Sequence, residues 1–185
     1  MNATETVSAR KGDWMQTASG KAFWPLDPRP EEVCINDIAT ALSNECRFGG
    51  QIKHHYSVAQ HSIYVSHLVP REHALAGLMH DAAEAYCKDI PRPIKQYLTG
   101  YAEMEERIWH AIADRFGIDR VLPDCVKVAD DAVLLAERDQ LLVPSPVRWS
   151  VPGEAAAIHI TCVLQADAAA VFLRLFHQLT DRRFE

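Results

Sequence analysis

A chain of 185 residues, 48% hydrophobic and 24% charged, has the size and composition of one globular domain with a sizeable core. Its formal net charge of −6 argues against a general nucleic-acid binder, which is normally basic, but leaves room for a small anionic substrate in a locally positive pocket. No apolar run approaches the roughly 18 residues that cross a bilayer, so no membrane partner is expected.

The opening "MNATETVSARKGDW" carries no apolar h-region, so no secretory signal is expected. Five cysteines, scattered and without C-x-x-C spacing, point to reduced thiols in a cytoplasm. Residues 1–31 stand apart. In "DWMQTASGKAFWPLDPRP" a Ser-Gly turn lies between aromatic, β-tolerant segments and precedes three prolines, which predicts a short hairpin and an extended lead-in.

From residue 32 to residue 185 a helical period dominates. Asn36 is an N-cap for residues 37–46, and Ser57 with Gln60 fits a capping box that opens a helix to about Val69. Pro70 breaks the chain before a helix over 72–86 that is apolar on nearly every side. "KDIPRPIK" reads as a turn and a short helix, since each proline suits a first turn. Residues 101–116 form an amphipathic helix stopped by Gly117, and Pro123 opens another that runs to about Leu142. "VPSPVRWSVPGEA" is a loop. A closing helix over 164–180 carries Leu164, Ala168, Val171, Leu175 and Leu179 near one face. The expected fold is a single all-α helical bundle behind a short N-terminal extension.

Charged groups inside such a bundle need a partner. In "LMHDAAEAYCKDIPRPIKQYL" an Ala-rich helix as apolar as a core carries His80, Asp81 and Glu84. His61 lies on the inward stripe Val58, His61, Val65, Leu68, and Asp130 on the stripe Val126, Asp130, Val133, Glu137. By periodicity alone Asp131 could equally be the inward carboxylate. A lone His61 would ordinarily be a core histidine bonded to a carbonyl, and a lone Asp81 would be paired with an arginine. Two imidazoles and two carboxylates on inward faces suit one divalent transition ion, Mn, Fe, Co, Ni or Zn rather than calcium. Such an ion leaves positions for water and substrate, and Glu84, one turn after His80, can orient that water and move its proton.

The words "SVAQHS", "MHDAAEA", "KDIPRPIK" and "VKVADDAVLLAERDQLL" resemble the HD-domain phosphohydrolases, in particular the small single-domain branch of 5′-deoxynucleotidases and phage-type dATP triphosphohydrolases. The resemblance covers roughly residues 33–142. It implies an HD-type helical domain, a ligand set of His61, His80, Asp81 and Asp130, and catalytic roles for Glu84 and Asp89. Through the family's "V-K-x-A-D" it assigns the ligand to Asp130 rather than Asp131. The interval from His61 to His80 is shorter than in the 5′-deoxynucleotidases, which implies a trimmed loop.

The same resemblance implies that Arg47 in "CRFGG", Lys95 and Lys127 bind substrate phosphate, with an additional Mg on a triphosphate tail. Phe48 and Gly50 would lie near the base, and His54 and His55 in "KHHYS" near the mouth of the site. His67, His73, His110 and His177 read as surface or partner-bonded histidines, and Trp14, Trp24, Trp109 and Trp149 as core or interface. The expected partner is a small deoxynucleotide, not a nucleic-acid polymer, and the expected assembly a homo-oligomer of cytoplasmic bacterial or phage origin. Three cations favour a deoxynucleoside triphosphate over a monophosphate. Hydrolysis of (p)ppGpp or a cyclic nucleotide, and a lapsed metal- or nucleotide-sensing module, are the competing expectations.

Overall fold

The structure, a computed structural model, describes residues 10–180, so the start of the N-terminal extension and the last five residues of the chain lie outside the described residues. The expected hairpin is present: β1 (Met15–Gln16) pairs antiparallel with β2 (Ala22–Phe23), Met15 opposite Phe23. Gly20, at φ 82°, makes the turn, where its N–H donates to the Thr17 carbonyl at 3.0 Å. The hairpin is tied to the bundle twice. The Ser19 N–H and hydroxyl donate to the buried Asp37 carboxylate at 2.6 and 2.8 Å, and the Phe23 ring stacks on Tyr86 with centroids 3.9 Å apart.

Among the described residues eight α-helices follow, besides three short 3-10 turns, and the fold is an all-α bundle: α1 (Ile35–Asn44), α2 (Val58–Leu68), α3 (Ala74–Met79), α4 (Glu84–Cys87), α5 (Arg92–Lys95), α6 (Tyr101–Phe116), α7 (Asp124–Leu141) and α8 (Gln165–Leu179). Within the described residues Gly117 ends α6 as expected, left-handed at φ 66°, its N–H donating to Ala113. Pro123 precedes the first residue of α7. The main core joins Phe23, Ile38, Leu42, Leu78, Met79, Ile108, Ile112, Phe172 and Phe176. Each such side chain removed from water contributes about 1.5–3 kcal/mol.

Three local expectations are corrected. Helix α1 starts at Ile35 with Cys34 before it, so Asn36 lies inside the first turn and caps nothing. The stripe that α8 buries is Ala168, Phe172 and Phe176; Val171, Leu175 and Leu179 are partly buried beside it, and Leu164 is exposed. The two large aromatic rings, set four residues apart, decide which face turns inward. The third correction concerns the site. The expected helix over 72–86 is two short helices, because the backbone tightens at His80–Ala83 into a turn where Ala82 N–H donates to Met79 and Glu84 N–H to Asp81.

Candidate metal centre

Helices α2 and α7 and the turn between α3 and α4 meet at one buried point. Ser57 Oγ accepts from the Gln60 N–H at 3.2 Å and fixes the first turn of α2, in which His61 is fully buried. The Gln60 side chain does not complete the capping box; it donates to the Thr161 carbonyl at 2.8 Å instead. Helix α3 is pressed against α2 at Gly77, where an added Cβ would stand 3.1 Å from Ser66 Cα.

His61 Nε2 lies 3.1 Å from Asp130 Oδ1 and 3.7 Å from Asp81 Oδ2, and His80 Nε2 lies 3.2 Å from Asp81 Oδ2. Ligand atoms of His61, His80 and Asp130 all fall within 4.8 Å of one another. Two donors bonded to one ion at about 2.1 Å stand about 3.0 Å apart at a right angle and about 3.4 Å apart at a tetrahedral angle. The separations of 3.1 and 3.2 Å fall in that range, and the 3.7 Å one lies above it.

The tautomers agree with this arrangement. His80 Nδ1 donates to the Gly77 carbonyl at 2.8 Å, and His61 Nδ1 to the Glu137 carboxylate at 2.6 Å. With the protons held on Nδ1, both Nε2 atoms are left as donors of a lone pair. Both are buried and make no hydrogen bond. The group of His61, His80 and Asp130 can therefore hold a metal ion, with Asp81 Oδ2 against both imidazoles. Asp131 turns away: it pairs with Lys127 and lies 3.7 Å from Arg92.

Around this point charges of both signs are buried together. Burial and the Arg47 charge disfavour protonated His61, yet the carboxylates of Glu137 and Asp130 outweigh them and raise it to about 9. Burial likewise opposes the charge on Asp81 and Asp130, but His80 and His61 hold both carboxyls well below the usual range. Glu84 behaves in the opposite way. Burial, followed by the charges of Asp81 and Asp89, pushes its carboxyl well above the usual range, and its Oε2 is buried without a partner. Burial also raises Asp89, against the pull of Arg47.

The three expected phosphate-binding cations all sit near the centre, each already holding a carboxylate. Arg47 is buried, with Nη2 on Glu137 Oε2 at 3.1 Å and Nη1 at 3.7 Å from Asp81 and 3.9 Å from Asp89. It is placed there by the bridge between Cys46 and Ser57, which closes the loop between α1 and α2 and lets Arg47 N–H donate to Tyr56. Lys95, on α5, donates to Glu105 at 2.7 Å. Lys127 is exposed and reaches Asp130 at 3.2 Å as well as Asp131.

A cavity of about 320 Å³ opens beside the centre, lined in part by His80, Asp81, Glu84, Lys95, Glu105 and Trp109. Phe48 and Gly50 lie in the closed loop, both with positive φ, 58° and 78°; the Phe48 ring packs edge-on to Trp149 and Gly50 faces open space. His54 is exposed, while both ring nitrogens of His55 are buried and unpartnered.

The residue whose role the sequence reading missed is Glu137. It is fully buried and joins His61 to Arg47. Its one visible signal was a position seven residues after Asp130, two turns along the same face.

No protein-family model matches the chain. It is 40% identical over 173 residues to the uncharacterized protein YfdR of Escherichia coli, an alignment that takes in 92% of this chain and 97% of that one. It is 35% identical over 145 residues to an uncharacterized protein of Rhodobacter capsulatus, covering 71% of this chain and 74% of the other. Nearly end-to-end similarity at that identity places the chain in one family with YfdR.

Proposed function

We propose that this chain is a metal-dependent phosphohydrolase of the HD type that cleaves deoxynucleotides at the 5′-phosphate ester. The observation that carries the reading is the pair of buried, unpartnered Nε2 atoms of His61 and His80, facing Asp130 and Asp81 at metal-ligand separations. His61, His80, Asp81 and Asp130 would hold the ion, with Mn, Co, Zn, Ni or Fe matching the mixed imidazole and carboxylate donors. When bound, such an ion supplies Lewis acidity and makes water a nucleophile near neutral pH.

The rest falls to the chain's own side chains. Glu84, with a buried free oxygen and a raised carboxyl, is suited to orient the attacking water and take its proton. Asp89, 3.9 Å from Arg47, would position that water or the sugar. Arg47, Lys95 and Lys127 counter the charge that develops on phosphate oxygens. The cavity beside Glu84 has room for a nucleoside, and its wall brings Lys95 within reach of a phosphate.

Our preferred substrate is a deoxynucleoside triphosphate, dATP-like, giving the deoxynucleoside and tripolyphosphate, with Mg on the tail. One observation favours a monophosphate instead: all three cations already hold carboxylates, which leaves less positive charge for a long tail. Incubation of the purified protein with a panel of dNTPs and dNMPs in Mn, Co, Zn, Ni or Fe separates the two by product. Tripolyphosphate release supports the first, orthophosphate from dNMPs alone supports the second, and no hydrolysis with any of the five metals overturns both.

A homo-oligomer goes with this reading, supported by the half-exposed Trp14 beside Trp24 on the N-terminal segment. Light scattering reads it directly. The proposed compartment is the cytoplasm, in keeping with five free cysteines. Among the described residues no helix is long and apolar enough to cross a membrane.

A further inference from the structure

Glu137 is fully buried, and both of its oxygens are used. Oε1 accepts from His61 Nδ1 at 2.6 Å and Oε2 from Arg47 Nη2 at 3.1 Å. We propose that Glu137 is a positioning residue of the metal centre, which aims the His61 lone pair at the ion and anchors Arg47 to the same carboxylate.

The geometry comes from one helix doing two jobs. Asp130 and Glu137 share a face of α7, two turns apart, so α7 supplies both a candidate ligand and the buttress of another. His61 is thereby held from both sides, with Nδ1 on Glu137 and Nε2 at 3.1 Å from Asp130. Because α7 meets α2 here, any slide of one helix past the other would break both contacts together. Arg47 extends the link: from Glu137 it reaches across to within 3.7 Å of Asp81. One buried guanidinium thus connects the buttress of the first imidazole to the carboxylate that touches both imidazoles.

A carboxylate is required for this role. Glutamine could accept from His61 through its oxygen, but its amide nitrogen would then face the Arg47 donor. Aspartate is one methylene shorter and cannot span both partners. A carboxylate hydrogen-bonded to a ligating histidine also raises the basicity of the ring, and its removal typically weakens metal binding 10–100-fold.

The inference rests on the metal half of the proposed function and not on the nucleotide half, so it is tested without substrate. The affinity of the full chain for Co²⁺ and Zn²⁺ is measured by chelator competition, together with the visible spectrum of the Co²⁺ form. Glu137→Gln is expected to bind 10–100-fold more weakly, with a shifted Co²⁺ spectrum. Because it takes from the buried Arg47 its nearest carboxylate, leaving only Asp81 and Asp89 at 3.7 and 3.9 Å, the double variant Arg47→Met/Glu137→Gln is measured beside it. That variant is expected to regain thermal stability without regaining affinity, a split that a merely structural role would not give. Affinity within threefold of wild type in either folded variant overturns the proposal. So does a wild-type protein that binds neither ion, or failure of both variants to fold, which would assign Glu137 to packing. Intact metal binding with no hydrolysis of any deoxynucleotide would instead sink only the hydrolase reading.

Discussion

His80 and Asp81 are consecutive in the chain, yet His80 Nε2 and Asp81 Oδ2 approach to 3.2 Å. Neighbours on a regular α-helix point about 100° apart. Here both side chains nonetheless turn toward one point, and Asp81 Oδ2 lies 3.7 Å from His61 Nε2 as well. Asp81→Ala is therefore expected to lose bound metal and hydrolysis together while keeping its helical circular-dichroism spectrum. Metal content by elemental analysis checks it; wild-type stoichiometry in that variant would contradict the ligand set.

Gly77 supports the turn between α3 and α4 from behind. Its carbonyl accepts from His80 Nδ1 at 2.8 Å, and its missing side chain lets α3 lie against the backbone of α2 at Ser66. The Cβ in Gly77→Ala would meet Ser66 Cα at 3.1 Å, and a backbone atom cannot swing aside. The variant should lose about 1–3 kcal/mol of stability from overpacking. It should also bind metal more weakly than wild type, because α3 must shift together with the carbonyl that aims His80. Denaturant melts and a chelator titration read the two effects separately.

The pair of His61 and Glu137 gives the metal-free protein a definite pH profile. His61 is raised from 6.5 to about 9, so its contribution is whole below pH 6.5 and fades as pH climbs through about 9. Glu137 is opposed by burial but lowered from 4.5 by Arg47 and His61, so its contribution is present above pH 4.5 and is lost as pH falls through the lowered value. In chelator, the melting temperature is expected to be highest between those limits and to decline from pH 6.5 to 9. A flat profile across that interval would show that the pair is not ionised as described.

Restoring the metal should reverse that decline. An ion that binds only the folded chain at 100 times its dissociation constant adds about 2.7 kcal/mol, roughly 5–10 °C in a domain of this size. Scanning fluorimetry of chelated protein with and without Mn, Co or Zn checks this, and no shift with any of them would count against the centre.

Phe172 separates fold from site. It is fully buried in the main core, on α8, which packs against α1 and α2. Phe172→Ala is expected to cost about 3–5 kcal/mol in a denaturant melt. Metal content per folded molecule should stay at the wild-type value, since α8 provides none of the proposed ligands.

Local signals in the sequence accounted for much of the framework. Glycine after Phe116, proline before Asp124, the Ser57 cap and the hairpin around Gly20 each act over a few residues and were found where expected, whereas the Gln60 half of the capping box was not. The inward faces of α2 and α7 were legible in part: Val58, His61, Val65, Val126, Val133 and Glu137 are buried as the helical period predicts, but Leu68 is exposed and Asp131 is more buried than Asp130. The break at His80–Ala83 was not legible, because "LMHDAAEAY" keeps an apolar helical composition straight through it.

Only the tertiary structure could decide who pairs with whom. Periodicity left Asp130 and Asp131 level and a family resemblance favoured Asp130; what physically separates them is where His61, 69 residues earlier, points its ring. The bond from Arg47 to Glu137 spans 90 residues, and no periodicity encodes it. A buried charge must be neutralised wherever the packing brings an opposite one, so composition determines that partners are needed and the crossing of helices determines which they are.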